Sequence, residues 1–266
     1  MRVFFIFILL VLCHLMSYSQ QNLGSARSLK GDIYVLYCFV SDNNHEWSSQ
    51  EKKDVVSKYR EATNWIKNQA TLYNDTVNFT NGSYGMNADV KLDQIVSGTG
   101  SKNEDARMVT LVLRQFGYTN SLSFYNWVIK NTKCTNALVF IFAKGQGRSY
   151  SMVYQSGMSE ELYFMEGAMF FEKQSNGVPL SSSTIAHEML HLFGAWDFYR
   201  TFEQTQDRED RVRKMFPNSI MLRTSHNINE LSVDEVTAWL IGWKSDHKPW
   251  YEWFKPSVVS ITTETH

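Results

Sequence analysis

Short, continuously apolar runs alternate along this chain with longer stretches in which apolar residues recur every three or four positions. The first run, Asp32-Ile33-Tyr34-Val35-Leu36-Tyr37-Cys38-Phe39-Val40, is β-prone and nearly unbroken, which predicts a strand buried on both faces. From about Ser49 to Tyr73, Val55, Val56, Tyr59, Ala62, Ile66 and Ala70 fall near helical spacing and predict a helix with one apolar face. The Asn/Thr/Gly-rich stretch from Asn74 to Ser83 reads as a loop and holds three Asn-x-Ser/Thr triplets of glycosylation type. A strand near Ala88 to Leu92 follows, then helical segments near Ala106 to Phe116 and Leu122 to Ile129. Ala137-Leu138-Val139-Phe140-Ile141-Phe142 is a second interior strand, and Ser149 to Tyr154 and Ala168 to Glu172 complete the set. Strand, helix and strand alternate, so the fold class is α/β with a largely parallel sheet of five strands.

The N-terminus changes the setting. Met1 and Arg2 lead into the apolar run Val3–Leu12, too short to span a bilayer, and Ser17-Tyr18-Ser19 supplies the small residues of a cleavage site. Residues 1–19 are therefore expected to be a signal peptide, with a mature chain from Gln20 that is secreted or periplasmic. Lipid anchoring at Cys13 is disfavoured because Leu12 stands where a small side chain is needed. Net charge is −1 with no long basic run, which argues against nucleic acid as a partner, and residues 20–266 suit one globular domain acting as a single copy, free of the membrane once the leader is cut. The mature chain keeps Cys38 and Cys134; export would permit a disulfide, but Cys38 lies in an apolar strand, so two buried thiols are an equal expectation.

Candidate chemistry is concentrated in His187-Glu188-Met189-Leu190-His191-Leu192-Phe193-Gly194-Ala195-Trp196-Asp197. On a helix, residues four apart share a face, so His187 and His191 can grip one metal ion while Glu188 projects about 100° around the axis, where a general base would sit. Gly194 permits a left-handed stop, after which Asp197 can return as a third ligand. Such a donor set suits one catalytic zinc ion. The plainer reading is a core helix with satisfied histidines and a salt-bridged glutamate. A bare His-Glu-x-x-His arises by accident in about one protein in a hundred of this length, and adding the Gly and Asp cuts that roughly a hundredfold. Ile185, Ala186, Met189, Leu190, Leu192 and Phe193 also make the helix apolar nearly all round, and an unpaired carboxylate buried there would cost several kcal/mol.

Downstream, Pro217-Asn218-Ser219-Ile220-Met221 is a turn-forming stretch closing on a methionine, which alone reads as core filling. Together with the histidine segment it resembles the metzincin clan of zinc metallopeptidases, in which a methionine turn floors the metal site. The resemblance runs in order of elements from about residue 30 to 245 and is specific at the motifs. It implies His187, His191 and Asp197 as zinc ligands, Glu188 as general base, Gly194 as the turn and Met221 as the Met-turn. Most of the clan has His where this chain has Asp197; the Asp form is similar to snapalysin-like bacterial peptidases. With one carboxylate the site charge drops from +2 to +1, so Glu188 must carry more of the activation. Leu222 and Arg223 follow Met221, so the tyrosine that some metzincin families place there is absent and the oxyanion donor has no assignment. A thermolysin-like arrangement would instead draw its third ligand from Glu209 or Glu230.

The implied architecture is a zincin/metzincin-like mixed five-stranded sheet with an active-site helix, Met-turn and C-terminal helix. The Ser149–Tyr154 run resembles the clan's antiparallel edge strand, which makes Ser149, Tyr150, Ser151 and Met152 candidate substrate-binding residues; extended peptide can add to an open edge, although most edge strands bind nothing. The charged stretch Asp207 to Lys214 reads as a solvated helix or loop. Ser232 to Glu235 has capping-box spacing and is expected to open a helix through Trp243, while Trp250, Tyr251, Trp253 and Phe254 read as core-covering packing. The expected function is an exported zinc endopeptidase acting on peptide or protein substrates. Its rivals are a non-catalytic zinc-containing binding module on the same fold and a zinc amidase acting on cell-wall peptides.

Overall fold

In the computed structural model residues 24–257 are described, apart from 43, 93–101, 156 and 202, with backbone alone for 102–106. The expected leader, residues 1–19 with Cys13, lies outside the described residues. Strands β1 (Gly31–Ser41), β2 (Val77–Tyr84), β3 (Val90–Lys91), β4 (Asn136–Gln146), β5 (Tyr150–Met152) and β6 (Gly167–Lys173) form one mixed, mostly parallel sheet in the order β2-β1-β4-β6-β5, with β3 pairing the end of β1. Every pairing is parallel except β5 with β6, so the short strand on the far edge runs against its neighbour.

Helices cover both faces. Along β1 successive side chains point to opposite sides: Ile33, Val35 and Phe39 belong to one core, and Tyr34, Leu36, Cys38 and Val40 to the other. Helices α1 (Ser49–Leu72) and α5 (Ser182–Leu192) close the first core over Phe39, Phe142 and Phe170, whose rings follow one another at 5.3 Å spacings across three strands. Helices α2 (Lys102–Gln115) and α3 (Ser121–Asn131) close the second through Met108, Val109, Val112, Phe124 and Val128. A strand buried on both faces has no use for polar alternation, which is why the β1 and β4 sequences read as unbroken apolar runs. Helix α1 begins at a reciprocal capping box between Ser48 and Glu51. Short helices α4 (Glu160–Tyr163) and α7 (Glu235–Leu240), helix α6 (Gln206–Met215) and a 3₁₀ segment, Pro249–Phe254, fill the periphery. No helix among the described residues is long and apolar enough to cross a membrane.

Four expectations are corrected. The sheet has six strands, not five, because β2 lies in the Asn/Thr/Gly-rich stretch expected to be a loop: Val77 and Phe79 turn toward the core while Asn78 and Thr80 face solvent. The strand expected over Ala88 to Leu92 shrinks to β3. The β5 ladder covers only Tyr150–Met152 of the run Ser149–Tyr154. Ser232 does not cap the last helix; Asp234 does, with Oδ1 accepting from the backbone N–H groups of Val236 and Thr237, and the helix ends at Leu240 rather than Trp243. Ser232 instead bridges to Asn218 and Ile220. Cys38 and Cys134 are both buried free thiols, and burial pushes the Cys38 thiol far above its usual range. In the tail, Tyr251 and Phe254 are fully buried and Trp253 is exposed.

Glu166, just before β6, has no solvent exposure. Its Oε2 accepts from Ser25 Oγ at 2.7 Å and from the backbone N–H of Ala26 at 3.0 Å, while Oε1 has no partner. Burial pushes its carboxyl up from 4.5 to about 7, against the lowering effect of those donors. The folded chain thus holds the proton more tightly than the unfolded one. The stability this contributes is complete below pH 4.5 and is lost as pH rises through about 7. The loss amounts to about 3 kcal/mol by linkage. Glu166→Gln should leave stability at pH 5 close to the parent's and raise it at pH 8 by a comparable amount, read by denaturant unfolding. An equal change at both pH values would show that another group titrates.

Candidate metal centre

Helix α5 is placed by its surroundings before any chemistry is considered. Ser181 caps it by accepting from the backbone N–H of Thr184, Ser183 Oγ donates to Ser225 O, and Ile185, Ala186, Met189 and Leu190 are fully buried against α1 and the sheet. The helix ends as its sequence requires: Gly194 has φ +98°, and the N–H groups of Gly194 and Ala195 return to His191 O and Leu190 O. That reversal brings Asp197 back over the helix.

His187 Nε2, His191 Nε2 and Asp197 Oδ1 converge, with separations of 3.1 Å between the nitrogens and 3.2 and 3.0 Å from each to the oxygen. They are the one group of three His, Cys, Asp or Glu donors placed to share a metal ion among the described residues. Each imidazole is oriented from behind, His187 Nδ1 lying 2.9 Å from Ile220 O and His191 Nδ1 2.8 Å from Ala195 O. A carbonyl only accepts, so both Nδ1 atoms carry hydrogen and neutral rings would turn two Nε2 lone pairs toward each other. Only a cation or a proton relieves that contact. Burial opposes charge on His191, but the Asp197 carboxylate outweighs it and raises the imidazolium to about 9. Burial likewise opposes charge on Asp197, and the two imidazoles outweigh it, holding the carboxyl well below the usual range. The observed edges are close to the separation of about 3.3 Å between two ligands of a tetrahedral zinc ion at 2.0–2.1 Å. The donor set fits that ion.

The Met221 turn is built into the same assembly. Met221 is fully buried, its carbonyl accepts from Phe198 N–H at 2.8 Å, and the preceding Ile220 carbonyl orients His187. Ser219 Oγ donates to the buried Asp234 at 2.7 Å, which ties the turn to the cap of α7. The turn therefore touches both a candidate ligand histidine and the segment after Asp197.

Glu188 faces the edge strand. Its Oε2 accepts from Ser151 Oγ at 2.6 Å, and the same hydroxyl lies 2.9 Å from the Glu188 backbone carbonyl. Of the other expected substrate residues, Ser149 is buried with Oγ accepting from Phe171 N–H and Gln174 Nε2, Met152 packs into the second core, and Tyr150 is half-buried on β5. The rival glutamates are elsewhere. Glu209 accepts from Arg200 N–H and pairs with Arg213, and exposed Glu230 accepts from Ser225 Oγ. The charged stretch around Glu209 is the largely solvated helix α6.

Tyr199 is a site residue that sequence reasoning missed. Its ring lies 6.1 Å from that of His187, and the Asp197 carboxylate acts on its phenol. Burial raises the phenol's pKa, the Asp197 and Glu188 carboxylates raise it further, and Arg148 opposes them. The available signal was its place two residues after Asp197, in Asp197-Phe198-Tyr199.

Compared with known proteins, the chain matches no family model and no curated protein.

Asp197→Ala should release or greatly weaken bound zinc, because two imidazoles hold it poorly, whereas Glu209→Ala and Glu230→Ala should bind as the parent does. Zinc stoichiometry after dialysis decides. Full occupancy in Asp197→Ala with loss in either glutamate variant would reassign the third ligand.

Proposed function

We propose that the chain is an exported zinc endopeptidase of metzincin-like architecture. The observation that carries this is the convergence of His187, His191 and Asp197 beside a carboxylate, Glu188, that binds none of them and is held toward the open sheet edge. A purely structural metal site needs no such base. The mostly parallel sheet with antiparallel β5 next to α5, the left-handed exit at Gly194 and the buried Met221 support the architectural part of the reading.

Zinc bound by these three residues would polarise the scissile carbonyl and lower the pKa of a water from 15.7 toward about 7. Glu188 takes the proton of the attacking water and passes it to the leaving amine. Ser151 keeps that carboxylate turned toward the cleft by donating to Oε2. Tyr199, neutral at any physiological pH, offers its phenol hydrogen to the oxyanion. β5, last in the strand order, would align an extended peptide through backbone hydrogen bonds, an arrangement that suits internal bonds better than chain ends.

Glu188→Gln should retain zinc and fold while peptide cleavage falls by about a thousandfold or more, since it removes the base and spares the ligands. Cleavage of a peptide library by the zinc-loaded parent, abolished by a chelator, is the companion measurement. Near-normal turnover in the variant, or a zinc-loaded parent that cleaves nothing, would overturn the reading. Tyr199→Phe should keep zinc and lower kcat by about 10²-fold with little change in KM, as loss of an oxyanion donor does. An unchanged kcat would remove the tyrosine from the mechanism.

A further inference from the structure

The third ligand stands on a segment from Ala195 to Thr205 whose described residues, all but 202, are neither helix nor strand, so its position must be imposed from outside. One restraint is the Phe198 N–H to Met221 O bond. Another is Gln204, which is 4% exposed and whose Nε2 lies 2.7 Å from the carbonyl oxygen of Asp197 and 2.9 Å from that of Phe254. Both neighbours only accept, so the amide must present its nitrogen to them and give each one hydrogen. A carboxylate in its place would set an acceptor against two carbonyls, and an apolar residue would leave two carbonyls unpaired.

Phe254 ends the 3₁₀ segment Pro249–Phe254 and is fully buried, with its ring 5.8 Å from that of Phe198. Two further bonds fasten the same junction: Ser257 N–H donates to Glu203 O at 2.9 Å, and Arg208 Nη1 donates to Ser257 Oγ at 3.1 Å. Gln204 Oε1 has no partner although it is buried.

We infer that Gln204 is a positioning residue for the third metal ligand, holding the Asp197 backbone against the C-terminal segment so that the carboxylate meets the two imidazoles. The inference rests on the metal-centre reading and extends it: affinity for the ion is set partly by chain fifty residues beyond Gln204. Through Asp197 the C-terminal aromatic segment becomes part of the site's framework rather than a cover on the core.

A double-mutant cycle on the full chain tests this, with zinc dissociation constants measured by chelator competition for the parent, Gln204→Met, Asp197→Ala and the double variant. Methionine keeps the length of the side chain and removes both donors. Zinc binding should weaken about 10–100-fold on Gln204→Met in the parent, and no more than about 3-fold when Asp197 is already alanine, because the restraint then has nothing to position. Cobalt-loaded Gln204→Met should also show a changed visible spectrum, which a general loss of stability would not produce. Gln204→Asn, too short to reach both carbonyls, runs through the same cycle and decides the matter if the methionine variant fails to fold. Equal weakening in both backgrounds, or none in the parent, overturns the inference. A parent that binds no zinc, or an Asp197→Ala variant that binds as tightly as the parent, overturns the metal-centre reading itself, and the inference with it.

Discussion

Two imidazole nitrogens 3.1 Å apart, each with its other nitrogen committed to a backbone carbonyl, are the constraint on which this structure depends. Such a pair is repulsive unless positive charge lies between the rings, and Asp197 supplies the counter-charge that makes the arrangement tolerable in a buried setting. The backbone acceptors come from different places. Ala195 belongs to the reversal after Gly194, and Ile220 to a turn thirty-three residues after His187. Neither local helix geometry nor the sequence spacing of the histidines would fix the rings without both.

The sheet provides the rigidity this requires by separating two tasks. One face carries α1 and α5, the aromatic row across β1, β4 and β6, and all of the candidate ligands' supports. The other face, under α2 and α3, is an apolar core that contributes no side chain to the metal centre. Helix α5 can therefore be apolar nearly all round and still present three polar residues, because they lie where it meets the edge strand and the Met221 turn.

How far the sequence foretold this differs by residue. β1, β4 and β6 were legible because strands buried on both faces are written as unbroken apolar runs. The His187–Asp197 segment was legible because helical spacing and a glycine stop are local rules. β2 was not, since its polarity reflects an outer position in the sheet, where pairing with β1 rather than side-chain burial defines the strand. The true cap, Asp234, was passed over for Ser232 because both are good capping residues and the choice was made by the Ser232 bridge to the Met221 turn. Ser151 was singled out as an edge-strand residue, but its bond to Glu188 across 37 residues was not, nor was the bond of Gln204 to Phe254 across 50. No pattern in a linear window encodes contacts of that range.

The two ends of the sheet have a consequence for how copies of this chain meet one another. An exposed edge invites a second molecule to add its own strand, and a hydrolytic centre beside one would face its own neighbours as well as its targets. Here the edge near Glu188 is only three residues long, and the opposite edge is lined with asparagine, threonine and glycine. A three-residue strand is a poor template for another folded domain. On the function proposed above, a flexible peptide, with a long backbone and no fold to protect, could lie along that short edge where a folded neighbour finds little to pair with.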